Sequence, residues 1–257
     1  MKYFIFFIIS LALIGFVTFF ALSTNPTKNN SSKTPSKQTT NFESDTFGQV
    51  IYESNTYSYS GAPITNPKNL KLIPNYSEQQ SSTNIIDQNN CQFLTNAGFY
   101  SKTNQPIGWF TTDSNTISQV QSNRLFNGFL YLEEGKVNIS DTAPVTSVTF
   151  GLQTGPILIQ NNQALNLTIS NDSPRRRAFA ALTKKNQLQF FIVFNKNSLF
   201  EGPKLSDLPE IAEKIGFKLG DTFTTAINLD GGTASTYYDG EIHLQEAQPV
   251  GSFFCLQ

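Results

Sequence analysis

Four short stretches of the sequence combine residue types that do chemistry. Near the C-terminus the chain runs Ala226-Ile227-Asn228-Leu229-Asp230-Gly231-Gly232-Thr233-Ala234-Ser235-Thr236. An acidic residue ending an apolar strand, followed by two glycines and several hydroxyls, sets a carboxylate beside backbone N–H groups. That suits a sugar or a phosphate, the carboxylate binding hydroxyls or positioning water while the N–H groups bind oxyanions. Alone, Asp-Gly-Gly is only a turn. The second stretch, Pro174-Arg175-Arg176-Arg177, enters an apolar strand. A guanidinium offers phosphate a planar fork of donors, although a solvated strand-end cluster explains the run equally well. The third, Asn96-Ala97-Gly98-Phe99-Tyr100 with Pro106-Ile107-Gly108-Trp109 after it, lets backbone approach a ligand beside an amide; from spacing alone it reads as an Asx-turn packed under aromatics. The fourth, Gln153-Thr154-Gly155-Pro156, sets two polar side chains at a strand end, as a plain β-turn also would.

The composition narrows what these stretches can do. The chain has 257 residues, of which 39% are hydrophobic and 14% charged, with Lys+Arg 18 against Asp+Glu 19. That is too apolar for a disordered chain and too neutral to wrap nucleic acid, so no nucleic-acid partner is expected. With two cysteines and one histidine, neither a four-cysteine zinc site nor one of paired cysteines and paired histidines fits within one chain, and a triad needing imidazole must use His243. Chemistry therefore rests on carboxylates, amides, hydroxyls and arginines. Beyond residue 46 the balance is 14 Lys+Arg against 17 Asp+Glu. The three arginines are thus a local feature of a mildly acidic body.

The elements that must position them follow from hydropathy and turn signals. Residues 3–22 are uncharged and apolar all round, about the length that spans a bilayer. Residues 1–23 therefore read as a transmembrane anchor, or as a secretory signal cleaved near Ala21-Leu22-Ser23. Residues 24–45, with three lysines and two prolines in the first seventeen, read as a disordered linker. The body is then membrane-anchored and extracytoplasmic, or secreted if the signal is cleaved. Residues 46–257 show no repeat and no second linker, which makes one domain. Strand-like segments fall at 47–54, 69–73, 128–139, 144–154, 157–165, 178–194 and 226–230. Glu133-Glu134-Gly135-Lys136, Asn161-Asn162 and Lys185-Asn186 mark three hairpins. A helix over 206–215 is expected from Leu205, Leu208, Ile211, Ala212 and Ile215, with Gly216 as its stop. The fold class is α+β: a mixed or antiparallel β-sheet with a few packed helices. Cys91 and Cys255 either pair, if the body is outside the cytoplasm, or stay as buried thiols; the sequence leaves both open.

Taken in order, the four stretches resemble the phosphodiester glycosidase family, which includes the mannose-6-phosphate uncovering enzyme and many bacterial exported proteins. Its Asn-Gly/Ala-Gly-Phe/Met-Phe/Tyr segment matches residues 96–100, and its Pro-x-Gly matches 106–108. Its Gln-Ser/Thr-Gly-Pro strand end matches 153–156, its strand-opening arginine matches Arg177, and its Leu-Asp-Gly-Gly-Gly-Ser-Ser segment matches 229–235. Two positions depart from the pattern. Thr233 replaces the third glycine and Ala234 the first hydroxyl. The resemblance implies hydrolysis of the glycosyl–oxygen bond of a sugar-1-phosphodiester or phosphoglycan without a cofactor. Asp230 would position water or stabilise an oxocarbenium-like transition state, Arg177 would neutralise the departing phosphate, and Asn96 would complete the catalytic set. Gln153, Thr154, Gly155, Gly231, Gly232, Thr233, Ser235 and Gly98 would bind substrate. No metal ligands are expected, although a calcium-dependent hydrolase stays open. The alternative is a catalytically silent glycan-binding envelope protein of the same fold. The oligomeric state is not legible.

Overall fold

In the computed structural model, which describes residues 46–257, each of the three turn signals closes a hairpin. Glu134 and Gly135 take positive φ (48° and 76°) between the strands Gly128–Glu133 and Lys136–Ser140. Asn161 and Asn162 do the same (52° and 64°) between Ile157–Gln160 and Gln163–Ala164. Two such residues in succession match the twist of the flanking strands, and Gly and Asn reach that region most readily. The third hairpin joins Arg177–Thr183 to Leu188–Asn195, with Asn186 at φ 58°.

Among the described residues all strand pairs are antiparallel, and they form three sheets. The seven-stranded sheet runs, in spatial order, Gly48–Tyr52, Asn55–Ile64, Leu188–Asn195, Arg177–Thr183, Phe223–Asn228, Ile157–Gln160 and Gln163–Ala164. A five-stranded sheet holds His243–Leu244, Tyr237–Tyr238, Phe93–Asn96, Ser252–Leu256 and Leu70–Pro74. A second one holds Asn115–Ser118, Phe110–Thr112, Phe150–Thr154, Gly128–Glu133 and Lys136–Ser140. Two α-helices, α1 (Ser82–Asn89) and α2 (Leu208–Lys218), complete the α+β body.

The strand Arg177–Thr183 shows why the layers stack as they do. It is buried at every residue, so both of its faces must be apolar. Ala178, Ala180 and Leu182 face a core shared with Phe190, Phe254 and Leu152. Phe179 and Ala181 face the other way, onto Leu205, Leu208, Ile211, Ala212 and Ile215 beside and along α2. Phe179 stacks on Phe191 with ring centroids 4.8 Å apart.

Some expectations are corrected. The helix does not stop at Gly216 but continues to Lys218. A Cβ on Gly216 would lie 3.2 Å from the ring of Phe223, so that glycine permits close packing of helix on sheet. Gly220, at φ 71°, follows the end of the helix in the left-handed conformation. Of the segment 144–154, only Phe150–Thr154 is strand. The longest strand, Asn55–Ile64, was absent from the expected segments. Its Gly, Pro and serines mask a two-sided pairing with Gly48–Tyr52 and Leu188–Asn195.

Cys91 and Cys255 form a disulfide, Cα–Cα 5.4 Å, across a sequence separation of 164. The expected anchor and linker lie outside the described residues. Among the described residues, no helix is long and apolar enough to cross a membrane.

Candidate functional site

Asp230 sits where two sheets meet. The strand Phe223–Asn228 continues as irregular backbone: Leu229 N–H donates to the Ala178 carbonyl (2.9 Å), and Asp230 N–H donates to that of Ala97 (3.0 Å). Leu229 is thus held to the seven-stranded sheet and Asp230 to the backbone just beyond Phe93–Asn96. Asn96 reinforces the junction. Its Nδ2 donates to the Asp230 carbonyl (2.6 Å), and its Oδ1 accepts from Thr236 N–H (3.0 Å). Because Asn96 is fully buried and uses both ends of its amide, it fixes both flanks of the Asp230 loop. Aspartate there would offer no donor to the Asp230 carbonyl.

The loop itself is built on contacts that exclude side chains. Gly231 N–H donates to Asp230 Oδ1 (2.8 Å), holding the carboxylate over the turn. Gly232 has φ 66°, and a Cβ there would lie 3.2 Å from Arg175 Cδ. Ser235 is fully buried, and its hydroxyl donates to the Gly232 carbonyl (2.6 Å) while accepting from Arg176 Nε (2.7 Å). Thr233 is exposed. Its hydroxyl donates to Gln248 Oε1 (2.7 Å), and its carbonyl accepts from the N–H groups of Ala247 (2.8 Å) and Gln248 (3.0 Å). Residue 233 therefore ties the loop to the segment before the last strand, and the hydroxyl bond is the one tie a glycine there would lack.

The three arginines divide their work. Arg176 is 1% exposed, and its guanidinium donates to the carbonyls of Leu199 (3.2 Å), Gln245 (2.7 Å) and Ser235 as well as to the Ser235 hydroxyl. Burial lowers its pKa to about 10, still charged at neutral pH. Arg177 is buried too. Its Nε donates to the Pro203 carbonyl (3.1 Å), and its Nη2 to Ser173 O (2.9 Å) and Asp172 Oδ1 (3.3 Å), an ion pair. Arg175 is exposed, with Nε donating to Ser173 Oγ (2.9 Å).

The strand-end pair Gln153 and Thr154 is committed to the scaffold. Gln153 Oε1 accepts from Trp109 N–H (3.1 Å) and Gln121 N–H (3.0 Å), and its Nε2 donates to the carbonyls of Gln121 (2.6 Å) and Phe126 (2.8 Å). Thr154 Oγ1 donates to the Asn228 carbonyl (2.9 Å), two residues before Asp230. Gly155 accepts from Asn228 Nδ2 (2.9 Å), and a Cβ on Gly98 would lie 2.6 Å from Leu152 Cδ1. These four residues hold the floor and rim around the carboxylate. Gln153→Ala is expected to leave four backbone groups short of a partner and cost about 2–3 kcal/mol in urea denaturation, with little change in substrate KM. A Gln153 that bound substrate would show the reverse.

Electrostatically, Asp230 is the unusual group. The residue keeps partial access to solvent. Burial nevertheless pushes its carboxyl up to about 7, opposed by the Gly231 N–H and the guanidiniums of Arg177 and Arg175. Its charge also reaches the phenols of Tyr76 and Tyr100, both raised chiefly by their own burial. A carboxyl poised near neutrality, under the charges of two cations and bonded to one backbone N–H, can exchange a proton with water and tolerate an anion. Among the described residues, no group of three or more His, Cys, Asp or Glu could hold a metal ion. A groove of about 650 Å³ between α2 and the sheet edge, lined by Ile51, Phe217 and Phe223, contains none of these site residues.

A family model described as "Phosphodiester glycosidase" matches residues 89–256, which span Asn96, all three arginines and Asp230. No curated protein matches the chain. Among solved structures, the chain is similar to the catalytic domain of zebrafish N-acetylglucosamine-1-phosphodiester alpha-N-acetylglucosaminidase, auto-inhibited by its pro-peptide. Identity is 13% over 82% of this chain and 81% of that chain, with a TM-score of 0.63. It is also similar to a hypothetical protein from Synechocystis, at 15% identity over 81% of this chain and 61% of that one, TM-score 0.56. At these identities the likeness is one of fold.

Proposed function

The chain belongs to the phosphodiester glycosidase family, and from that premise we propose that it is a hydrolase cleaving the glycosidic bond of a sugar-1-phosphodiester. The observation that carries this reading is the Asp230 carboxyl, held over the glycine turn by Gly231 N–H, its pKa raised by burial and opposed by the charges of Arg177 and Arg175. In its ionised form Asp230 takes a proton from water as the water oxygen bonds to the anomeric carbon. The bond from that carbon to the phosphate oxygen breaks, and its electron pair leaves with the phosphomonoester. Phosphate is a good leaving group, so this step needs less acid catalysis than an ordinary glycoside, in keeping with a site in which the groups acting on Asp230 are an N–H and two cations. Arg177 adds positive charge that Asp230 feels, tempered by its ion pair with Asp172. Asn96 acts through Asp230 by fixing the loop, and the bonds made by Gly231, Thr233 and Ser235 hold that loop in shape beside the carboxylate.

The Cys91–Cys255 disulfide supports export, because such bonds persist in oxidising compartments. A membrane-tethered or secreted hydrolase is the proposed form. The silent, glycan-binding alternative draws on Thr233 and Ala234. Assaying free sugar and phosphomonoester from several sugar-1-phosphodiesters, GlcNAc-1-phosphodiester among them, decides between them; binding without turnover on all of them favours the alternative. Because the reacting form of Asp230 is the carboxylate, kcat/KM is expected to rise with pH through an apparent pKa near 7. A profile flat from about pH 5.5 to about 8.5 would remove Asp230 from the proton transfer.

A further inference from the structure

The charge balance around Asp230 separates Arg175 from its two neighbours. Arg176 is buried, and the hydroxyl and carbonyl oxygens of the loop and its surroundings occupy its fork. Arg177 is paired with Asp172, so that couple is nearly neutral. Arg176 and Arg177 keep their charge, but their donors are committed inside the protein; of the three, only Arg175 offers an exposed guanidinium beside the ionised Asp230. Without Arg175 a phosphodiester anion would meet the ionised Asp230 with no exposed guanidinium of the three beside it.

The geometry of Arg175 is that of a held but unspent fork. Ser173 Oγ accepts from its Nε (2.9 Å) and fixes the stem, while Nη1 and Nη2 have no partner among the described residues. The side chain lies against Gly232: a Cβ there would sit 3.2 Å from Arg175 Cδ and 3.3 Å from Nη1. The free nitrogens are therefore beside the glycine turn that follows the carboxylate, and their charge lowers the pKa of Asp230. We infer that Arg175 is the residue that recognises the substrate's phosphate, its two terminal nitrogens donating to non-bridging oxygens while the sugar faces Asp230. This rests on the function proposed above and assigns specificity for the anion to a residue outside the family motif segments matched in the sequence.

The test compares Arg175→Gln and Arg175→Lys with wild type, in turnover of a sugar-1-phosphodiester and in competitive inhibition by inorganic phosphate. Arg175 is exposed, so both variants are expected to fold, which circular dichroism checks. Loss of a bidentate charged contact raises KM and the phosphate inhibition constant of Arg175→Gln together by about 10- to 100-fold, more than kcat falls. Lysine falls between, because it restores charge but not the fork. The salt dependence of KM flattens in the glutamine variant. If Arg175→Gln matches wild type in both constants, the assignment is overturned. If wild type turns over no sugar phosphodiester, the proposed function fails separately, and Arg175 is judged by calorimetric titration with phosphate and GlcNAc-1-phosphate. A roughly tenfold weaker affinity in Arg175→Gln then supports it. Equal affinities, or no binding to wild type, overturn it.

Discussion

Asp230→Asn is expected to lower turnover by about 10²–10⁴-fold, the range for losing a positioned general base, while making the protein more stable at about pH 8. The two effects have one cause. Burial raises the folded-state pKa of Asp230 to about 7, well above the 3.8 of an unperturbed aspartate. Below about pH 4 the carboxyl is neutral whether folded or unfolded, and its stability contribution is complete. Between about pH 4 and 7 the unfolded chain ionises first, so stability is lost as pH rises, and above about pH 7 the loss is full. Asparagine keeps the oxygen that accepts from Gly231 N–H and never ionises. The variant should therefore match wild type near pH 4 and exceed it at pH 8 by at least about 1 kcal/mol, or about 2–4 °C in Tm for a body of this size. Thermal melts at both pH values, together with turnover, check the pair. Equal pH dependence in the two proteins would mean that the carboxyl is solvated and that its proposed chemistry lacks a basis.

Removing the disulfide carries the largest expected cost in stability. Cys91 and Cys255 close a loop spanning a sequence separation of 164, for which loop-closure entropy gives about 5 kcal/mol. That is a large part of the roughly 5–15 kcal/mol typical of a whole domain. Cys91→Ser with Cys255→Ser, or reduction of the native protein, should shift the urea midpoint downwards by an amount worth about 3–5 kcal/mol. Activity should fall with it as the strand next to Asn96 loosens, since Phe253 pairs with Asn96. An unchanged midpoint on reduction would show that packing alone holds these strands.

Much of this was legible in the residues, for identifiable reasons. The three hairpins could be read because left-handed backbone restricts the residues at their turns, as Gly135 and Asn162 show. The burial of α2 could be read because a helix repeats its apolar face every three or four residues, and it is that face that packs on Phe179 and Phe191. Asn55–Ile64 was opaque: one of its two partners, Leu188–Asn195, is distant in sequence, and alternating serines, tyrosines and glycine give little period of their own. At the candidate site the residues themselves do not say how they divide their labour. Asn96, Gly98, Arg177, Asp230, Gly231 and Gly232 do converge, yet Gln153, Thr154 and Ser235 spend their polar atoms on the scaffold. Three identical arginines in a row carry no signal of which is buried. That Arg176 braces the loop while Arg175 stays free is decided by Leu199, Ser235 and Gln245, all distant in sequence.

The placement of Ser252–Leu256 between Phe93–Asn96 and Leu70–Pro74 has a consequence for how the molecule is made. Both flanking strands are synthesised early, but neither has its central neighbour until Phe253 and Cys255 have emerged. Throughout synthesis their unpaired edges stay open to other chains, and pairings of such long range form slowly. The Asp230 loop waits as well, because Ala247 and Gln248 hold it at Thr233 and Gln245 holds the Arg176 that braces it. A nascent chain stalled before these residues would carry the carboxylate and the arginines without the arrangement that makes them a site.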